Sequence, residues 1–197
     1  MLTTATFTPR EVAELSGAPR HVIEKAIEDH ILRVCSQTPG GGPQGPRMLP
    51  LHAVAYAAVV GKLDLRLSVE HKKRLADGLA LLSAANIDLV RMELTPGVEL
   101  NIGRLAGDVT NRAARYRAAR DRAIVTDEAI KGGTPVIRGT RMTVYSVLGQ
   151  VEHGDTIDDI LADNPDLDRD AIEAAIIYAR THPMMGRPSG RPWAHAA

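Results

Sequence analysis

The sequence predicts a mainly α-helical chain with small β hairpins. Three observations point there. Among 197 residues there are one Trp, one Phe and four Tyr, so the core must be built from Leu, Val, Ile and Ala, which favours helices. Helix-start signals recur, at Thr8-Pro9 with Glu11, Ser68, Thr143, Thr156 with Asp159, and Asp168. Short β-branched runs are bounded by Gly- and Pro-bearing turns, at Thr95-Pro96-Gly97 and Gly132-Gly133-Thr134-Pro135.

In chain order, Thr8 caps a first helix with Pro9 at its first position and Glu11 completing a capping box. Ser16-Gly17-Ala18 breaks it. Pro19 opens a second helix to about Asp29, with Val22, Ile23, Ala26 and Ile27 inward. Two short helices with a Gly-containing turn make a helix-turn-helix. Arg33-Val34-Cys35-Ser36 reads as a strand. The Gly/Pro-rich stretch 39–46 reads as a loop, and Arg47-Met48-Leu49 as the return limb of a wing. Leu51 to Val60 is almost wholly apolar and must be buried.

Ser68 caps a helix to about Ala85, with Val69, Leu75, Leu79 and Leu82 on its inner side and the basic run His71-Lys72-Lys73-Arg74 upon it. Phosphate contact is one use of that run; a solvated face is the plainer one. Ile87 to Leu94 alternates as a strand, turns at Thr95-Pro96-Gly97 and pairs with Val98 to Ile102. Gly103 to Arg122 is a long Arg-rich helix with Leu105, Val109, Ala113 and Tyr116 near one stripe, suited to a dimer or a linker.

Ala123 to Thr126 enters a last unit as a strand. Gly132 to Arg141 then forms a turn, a short strand and a second turn that presents Arg138 and Arg141. Two guanidinium groups on a rigid turn suit carboxylates or phosphates; alternatively they pair with acids of the fold or of a dimer. Three helices follow, capped by Thr143, Thr156 and Asp168. The last two have a helix-turn-helix shape, but Asp168, Asp170 and Glu173 at the start of the third would repel phosphates, which favours packing or dimerisation.

Charge is balanced at 24 basic and 24 acidic groups but unevenly placed. Residues 1–122 hold 17 basic against 13 acidic, and residues 123–183 hold 5 against 11. The tail, 184–197, has Arg187, Arg191 and the only Trp, Trp193, and no acid. Arg and Trp are favoured interface anchors, so the tail suits folding on a partner. Cys35 is alone, which excludes an internal disulfide and suits a small buried hydrophobe. No window approaches the ~20 apolar residues of a membrane span, and residues 1–6 lack signal-peptide character. The expected location is the cytoplasm. No P-loop, GxGxxG, CxxC or HExxH occurs, and the seven His show no metal-ligand spacing. No cofactor, no metal and no enzymatic activity are expected.

The order of helix, turn, helix, wing and buried helix over residues 6–63 resembles the MerR-like winged helix-turn-helix head. That resemblance implies DNA contact through Arg20, His21 and Lys25 on the second helix, and Arg33, Gln44 and Arg47 in or beside the wing, with Gln37 also there. Glu24, Glu28 and Asp29 weigh against it. Ile124 to Tyr178 resembles the domain-of-unknown-function family 433, on the Gly-Gly-x-Pro-x-Ile-Arg-Gly-Thr-Arg core at 132–141, Asp-Asp-Ile-Leu-x-Asp-x-Pro at 158–165 and the helix at 168–179. Met142-Thr143 departs from the usual Ile-Pro, though Thr143 keeps the cap.

The resemblance implies a strand with a three-helix, homeodomain-like unit, and membership of the VapB-type antitoxins that neutralise PIN-like ribonuclease toxins. Such toxins hold metal in a carboxylate cluster, so Arg187 or Arg191 would enter it with Trp193 as anchor, and Arg138 and Arg141 would add partner contacts. The expected organisation is a head at 1–63, connecting helices and hairpin at 64–122, an antitoxin-like domain at 123–183 and a tail at 184–197. The expected partners are a ribonuclease toxin, operator DNA and a second copy in a homodimer, with no membrane. A stand-alone MerR-like regulator and a dimeric scaffold without a DNA role remain open.

Overall fold

The computed structural model describes residues 7–34, 47–63, 66–82 and 84–184. Helix α1 (Pro9–Ser16) starts as its sequence dictates. The Thr8 hydroxyl accepts the Glu11 amide at 3.2 Å, and the Glu11 carboxylate accepts the Thr8 amide at 2.7 Å. Helix α2 (Arg20–Glu28) follows Pro19 and buries Ile23 and Ala26. Helix α3 (His52–Lys62) is buried from Ala53 to Val59, which is why its sequence has no polar face. Leu49, read as the return limb of a wing, exchanges two 2.7 Å backbone hydrogen bonds with Phe7. Arg33 and Val34 are irregular rather than extended in a strand. Cys35, Gln37 and Gln44 lie outside the described residues.

Helix α4 (Val69–Ala80) is capped by Ser68 and ends sooner than its apolar pattern suggests. Leu75 and Leu79 are buried as expected, but Val69 is about half exposed. The expected strand from Ile87 is also corrected. Residues Ala84–Leu89 form a 3-10 helix, and strand β1 (Arg91–Thr95) begins only beyond it, paired antiparallel with β2 (Val98–Asn101). The cause is close packing on helix α5 (Ile102–Ala123). A Cβ on Gly103 would lie 2.0 Å from the Asp88 carbonyl oxygen, so the segment is wound tightly against the helix. Asn111 holds it there, donating to the Asp88 carboxylate at 3.1 Å.

The α5 helix runs through the middle of the fold instead of linking two parts. It buries Ile102, Ala106, Thr110, Ala113, Tyr116 and Ala119, small residues for the most part, and packs on α1, α3 and helix α8 (Arg169–Thr181). One core takes in α1 to α5 and the β1–β2 hairpin. Strand β3 (Ile124–Val125) continues directly from α5 and pairs with β4 (Val136–Ile137), Ile124 opposite Ile137. Helices α6 (Val144–Glu152), α7 (Ile157–Asp163) and α8 enclose a second core around Val144, Val147, Ile160, Ile172 and Ala175. The fold is thus mainly helical with two small antiparallel β pairs. Among the described residues, no helix is long and apolar enough to cross a membrane.

Glu11 fastens α1 to α5. Its carboxylate is wholly buried and, besides capping α1, accepts from the Tyr116 hydroxyl at 2.5 Å and the Arg120 guanidinium at 2.9 Å. Arg120 lies 5.9 Å from the Phe7 ring centroid and 5.7 Å from that of Tyr116. Burial, with the adjoining Glu11 charge, lifts the Tyr116 phenol far above its usual range. For Arg120 burial works against the charge, but the Glu11 charge, Tyr116 and the hydrogen bonds to Glu11 and Asp121 together outweigh it and the guanidinium stays ionised.

Removing one partner of a buried ion pair strands the other, at about 3–5 kcal/mol. Glu11→Ala should therefore lower the urea-unfolding free energy by about that much; a loss below ~1 kcal/mol would show that the pair does not hold α1 to α5. A second prediction concerns pH. Burial lowers the His52 pKa, partly opposed by Asp77. The unfolded chain then takes up a proton near pH ~6.5 that the folded chain refuses until lower pH. Stability should fall as pH drops from about 6.5 towards the folded value, and His52→Gln should flatten that slope in denaturant titrations.

Candidate functional site

The candidate face of the head is built on α2, where cations and acids alternate. Arg20 pairs with Glu24 at 2.7 Å and Lys25 with Asp29 at 2.8 Å, one turn apart on the same helix. His21, Arg33 and Arg47 are exposed and make no hydrogen bond or ion pair among the described residues. The Asp29 hydrogen bond raises the Lys25 pKa, so its ammonium is charged at neutral pH. Exposed pairs of this kind are weak, so a phosphate can compete for the cation.

The fold adds a residue that the α2 pattern alone does not indicate. Lys72 of α4 joins His21 and Lys25 in lining a cleft of about 230 Å³ backed by Tyr56. Burial, then the Asp29 charge, pushes the Tyr56 phenol up to about 12, so it faces the cleft as a neutral donor. Within the same basic run Arg74 is engaged by Glu70 at 2.8 Å. Forty-odd residues separate Lys25 from Lys72 in sequence, and only the packing of α4 on α3 unites them.

The second feature is the turn between β4 and α6. Ile137 donates to the Met142 carbonyl at 2.9 Å, Val144 to the Pro135 carbonyl at 3.0 Å, and the Thr140 hydroxyl to the Ile137 carbonyl at 2.8 Å. Gly139 sits at φ 78°, in the left-handed region. The Thr143 hydroxyl accepts the Ser146 amide and starts α6. Arg138 is tied down by its own backbone: its amide bonds the Ala123 carbonyl and its Nε the Arg122 carbonyl, both at 2.7 Å. That leaves the outer guanidinium edge outward. Arg141 is exposed and makes no hydrogen bond or ion pair among the described residues. Among the described residues, neither arginine pairs with an acid.

The α8 helix is no free recognition helix. Ala171, Ile172, Ala175 and Ile176 face the second core while Ala174 joins the first, so it is clasped from two sides. Its leading acids are partly occupied. Asp168 accepts the Ala171 amide at 2.6 Å and pairs with Arg122 at 2.9 Å, and Arg169 pairs with Asp158. Arg187, Arg191 and Trp193 lie outside the described residues. Among those described, no cluster of His, Cys, Asp or Glu is placed to hold a metal ion.

Comparison with known proteins bears on the second unit. Residues 124–179 match the family described as protein of unknown function (DUF433). A curated relative, the uncharacterized protein y4eO of Sinorhizobium fredii (strain NBRC 101917 / NGR234), is 46% identical over 70 residues, which is 35% of this chain and 32% of the relative. The match thus spans about a third of the relative's length. No solved structure matches the chain.

The turn yields a paired prediction. Gly139→Ala places a Cβ in the left-handed region and should cost about 1–2 kcal/mol. Gly149, inside α6 and with nothing within 4 Å of an added Cβ, should instead gain ~0.5–1 kcal/mol as Ala. Thermal unfolding of the two variants checks the sign of each; a stabilised Gly139→Ala would refute the turn geometry.

Proposed function

We propose that the chain is the antitoxin of a type II toxin–antitoxin pair, neutralising a PIN-like ribonuclease and repressing its own operon by binding operator DNA. The head acts as a MerR-like winged helix-turn-helix, and the second unit, with the tail, as a VapB-type toxin grip. The protein works as a cytoplasmic homodimer and a binding protein, without catalysis. The observation that carries the reading is the presence of two outward cationic groups on separate units. His21, Lys25 and Lys72 suit a DNA backbone. Arg138 and Arg141, paired with no acid among the described residues, suit the carboxylates of a metal-dependent nuclease site. Arg187 or Arg191, with Trp193 as anchor, completes the grip in this reading.

A dimeric scaffold without a DNA role is the second reading. It is favoured by the in-helix neutralisation of Arg20 by Glu24 and Lys25 by Asp29. Two measurements separate them. Purification of the tagged chain from its own cells should retain a small ribonuclease in near-equal amount, and a chain recovered alone would leave a stand-alone regulator or a scaffold. Binding to its own upstream DNA should weaken with salt. His21→Ala, Lys25→Ala and Lys72→Ala together should lower the logarithmic salt slope by about two to three, at ~0.9 per phosphate contact. An unchanged slope would remove the cleft from the DNA surface.

A further inference from the structure

The cleft between α2, α3 and α4 holds more than a DNA-facing edge requires. Tyr56 lines it from α3. Only 1% of that residue is exposed, and among the described residues its hydroxyl makes no hydrogen bond. Buried phenol oxygens are ordinarily partnered. This one is not sealed, and its trace of exposure opens on the cleft. A donor so placed calls for an acceptor that enters from the cleft. Lys72 is a second, independent sign. Its neighbours Lys73 and Arg74 are exposed, and Arg74 is engaged by Glu70 at 2.8 Å. Lys72 instead lies half-buried along the cleft and pairs with no acid among the described residues. Partly buried charges are favoured by a counter-charge. Lys25 adds a second ammonium from α2, held by Asp29 at 2.8 Å. Among the described residues Asp29 is the one acid lining the cleft, and two lysines face it, so positive charge stays in excess.

Between these groups the walls are apolar, formed by Val22, Ala26, Ile31 and Val60. The space is about 230 Å³, small for a ligand pocket, so its occupant is compact. We infer that the cleft binds a small phosphomonoester, whose terminal phosphate accepts hydrogen bonds from the Tyr56 hydroxyl and the Lys25 and Lys72 ammonium groups while a compact apolar body rests on Val22, Ala26 and Val60. The depth of the hydroxyl selects a terminal phosphate. A backbone phosphodiester carries a sugar on each side and cannot bring its free oxygens to so buried a residue, whereas a monoester enters end first. Its charge of roughly −1.5 to −2 at neutral pH also suits two lysines better than the single charge of a diester or a carboxylate. Bound there, it occupies Lys25 and Lys72 and withdraws them from a DNA backbone. The site thus gives the chain a means of releasing its operator, a consequence that rests on the repressor reading.

The test uses the full chain and phenyl phosphate, with binding followed by titration calorimetry and by broadening of the probe's phosphorus resonance. The parent should bind phenyl phosphate at least about tenfold tighter than dimethyl phosphate, which stands in for a DNA backbone. Tyr56→Phe keeps the ring and removes only the hydroxyl, and should weaken binding about fivefold or more. Lys72→Gln should weaken it about tenfold. Arg138→Gln should leave it as it was. Absence of binding by the parent, or equal affinity in the parent, Tyr56→Phe and Lys72→Gln, would overturn the site. Dimethyl phosphate bound as tightly as phenyl phosphate would overturn it too and return the cleft to the DNA backbone. Phenyl phosphate should also release upstream DNA from the parent, and less readily from Tyr56→Phe. A chain that binds phenyl phosphate but no upstream DNA would keep the site and lose the repressor reading; one that binds the DNA but not phenyl phosphate would lose the site and keep that reading.

Discussion

The fold depends on one buried carboxylate. Glu11 closes the capping box of α1 and, with its other oxygen, takes hydrogen bonds from Tyr116 and Arg120, more than a hundred residues away. A charge at zero exposure is tolerated only when each lone pair is used and an opposite charge adjoins it. Those conditions fix the rotation of α5 about its axis, because Tyr116 and Arg120 must both face α1. Phe7 lies beside the same cluster and ties Leu49 to it through the backbone bridge. The orientation of α5 in turn directs the entry into the second unit, since β3 begins at the residue after it.

The second unit is placed by apolar contact and not by its ion pairs. Arg180–Glu14 and Arg122–Asp168 cross between the units, but both are largely exposed, and pairs of that kind contribute ~0–1 kcal/mol each. What seats α8 on α5 is the meeting of small side chains: Ala113 and Ala119 on one helix and Ala174 on the other, with Ile177 beside them. Short side chains bring the two axes close and let α8 serve both cores at once. A helix used on two sides has only a narrow stripe left for solvent, and that stripe holds Asp170, Glu173 and Arg180.

Local chemistry was legible in the sequence at most places where a backbone group needed a specific side chain, though Asn101, which caps α5, reads as strand. The caps at Thr8, Ser68, Thr143, Thr156 and Asp168 are all where the residue types put them. Tertiary choices were not. The alternation from Ile87 fits a strand equally well, and only the glycines at 103 and 107, which admit Asp88 against α5, draw the segment into a 3-10 helix. The α5 stripe of Ala, Thr and Gly carries too little hydrophobic contrast to announce a central helix, and its arginines suggest a surface. Glu11 had a complete explanation as a capping residue, so nothing local required it to be buried as well. The candidate residues on α2 were nameable, but the approach of Lys72 to them is a property of helix packing.

The relation between the units depends on where their free charges lie. Residues 1–122 carry the surplus of basic groups and residues 123–183 the surplus of acids, with few close pairs between them among the described residues. The seam between them is held by α5 and α8, and Tyr116, Ala119, Ala174 and Ile177 line a hollow along its edge. The small-residue contact that allows α8 to join both cores is thus what sets the second unit against the first.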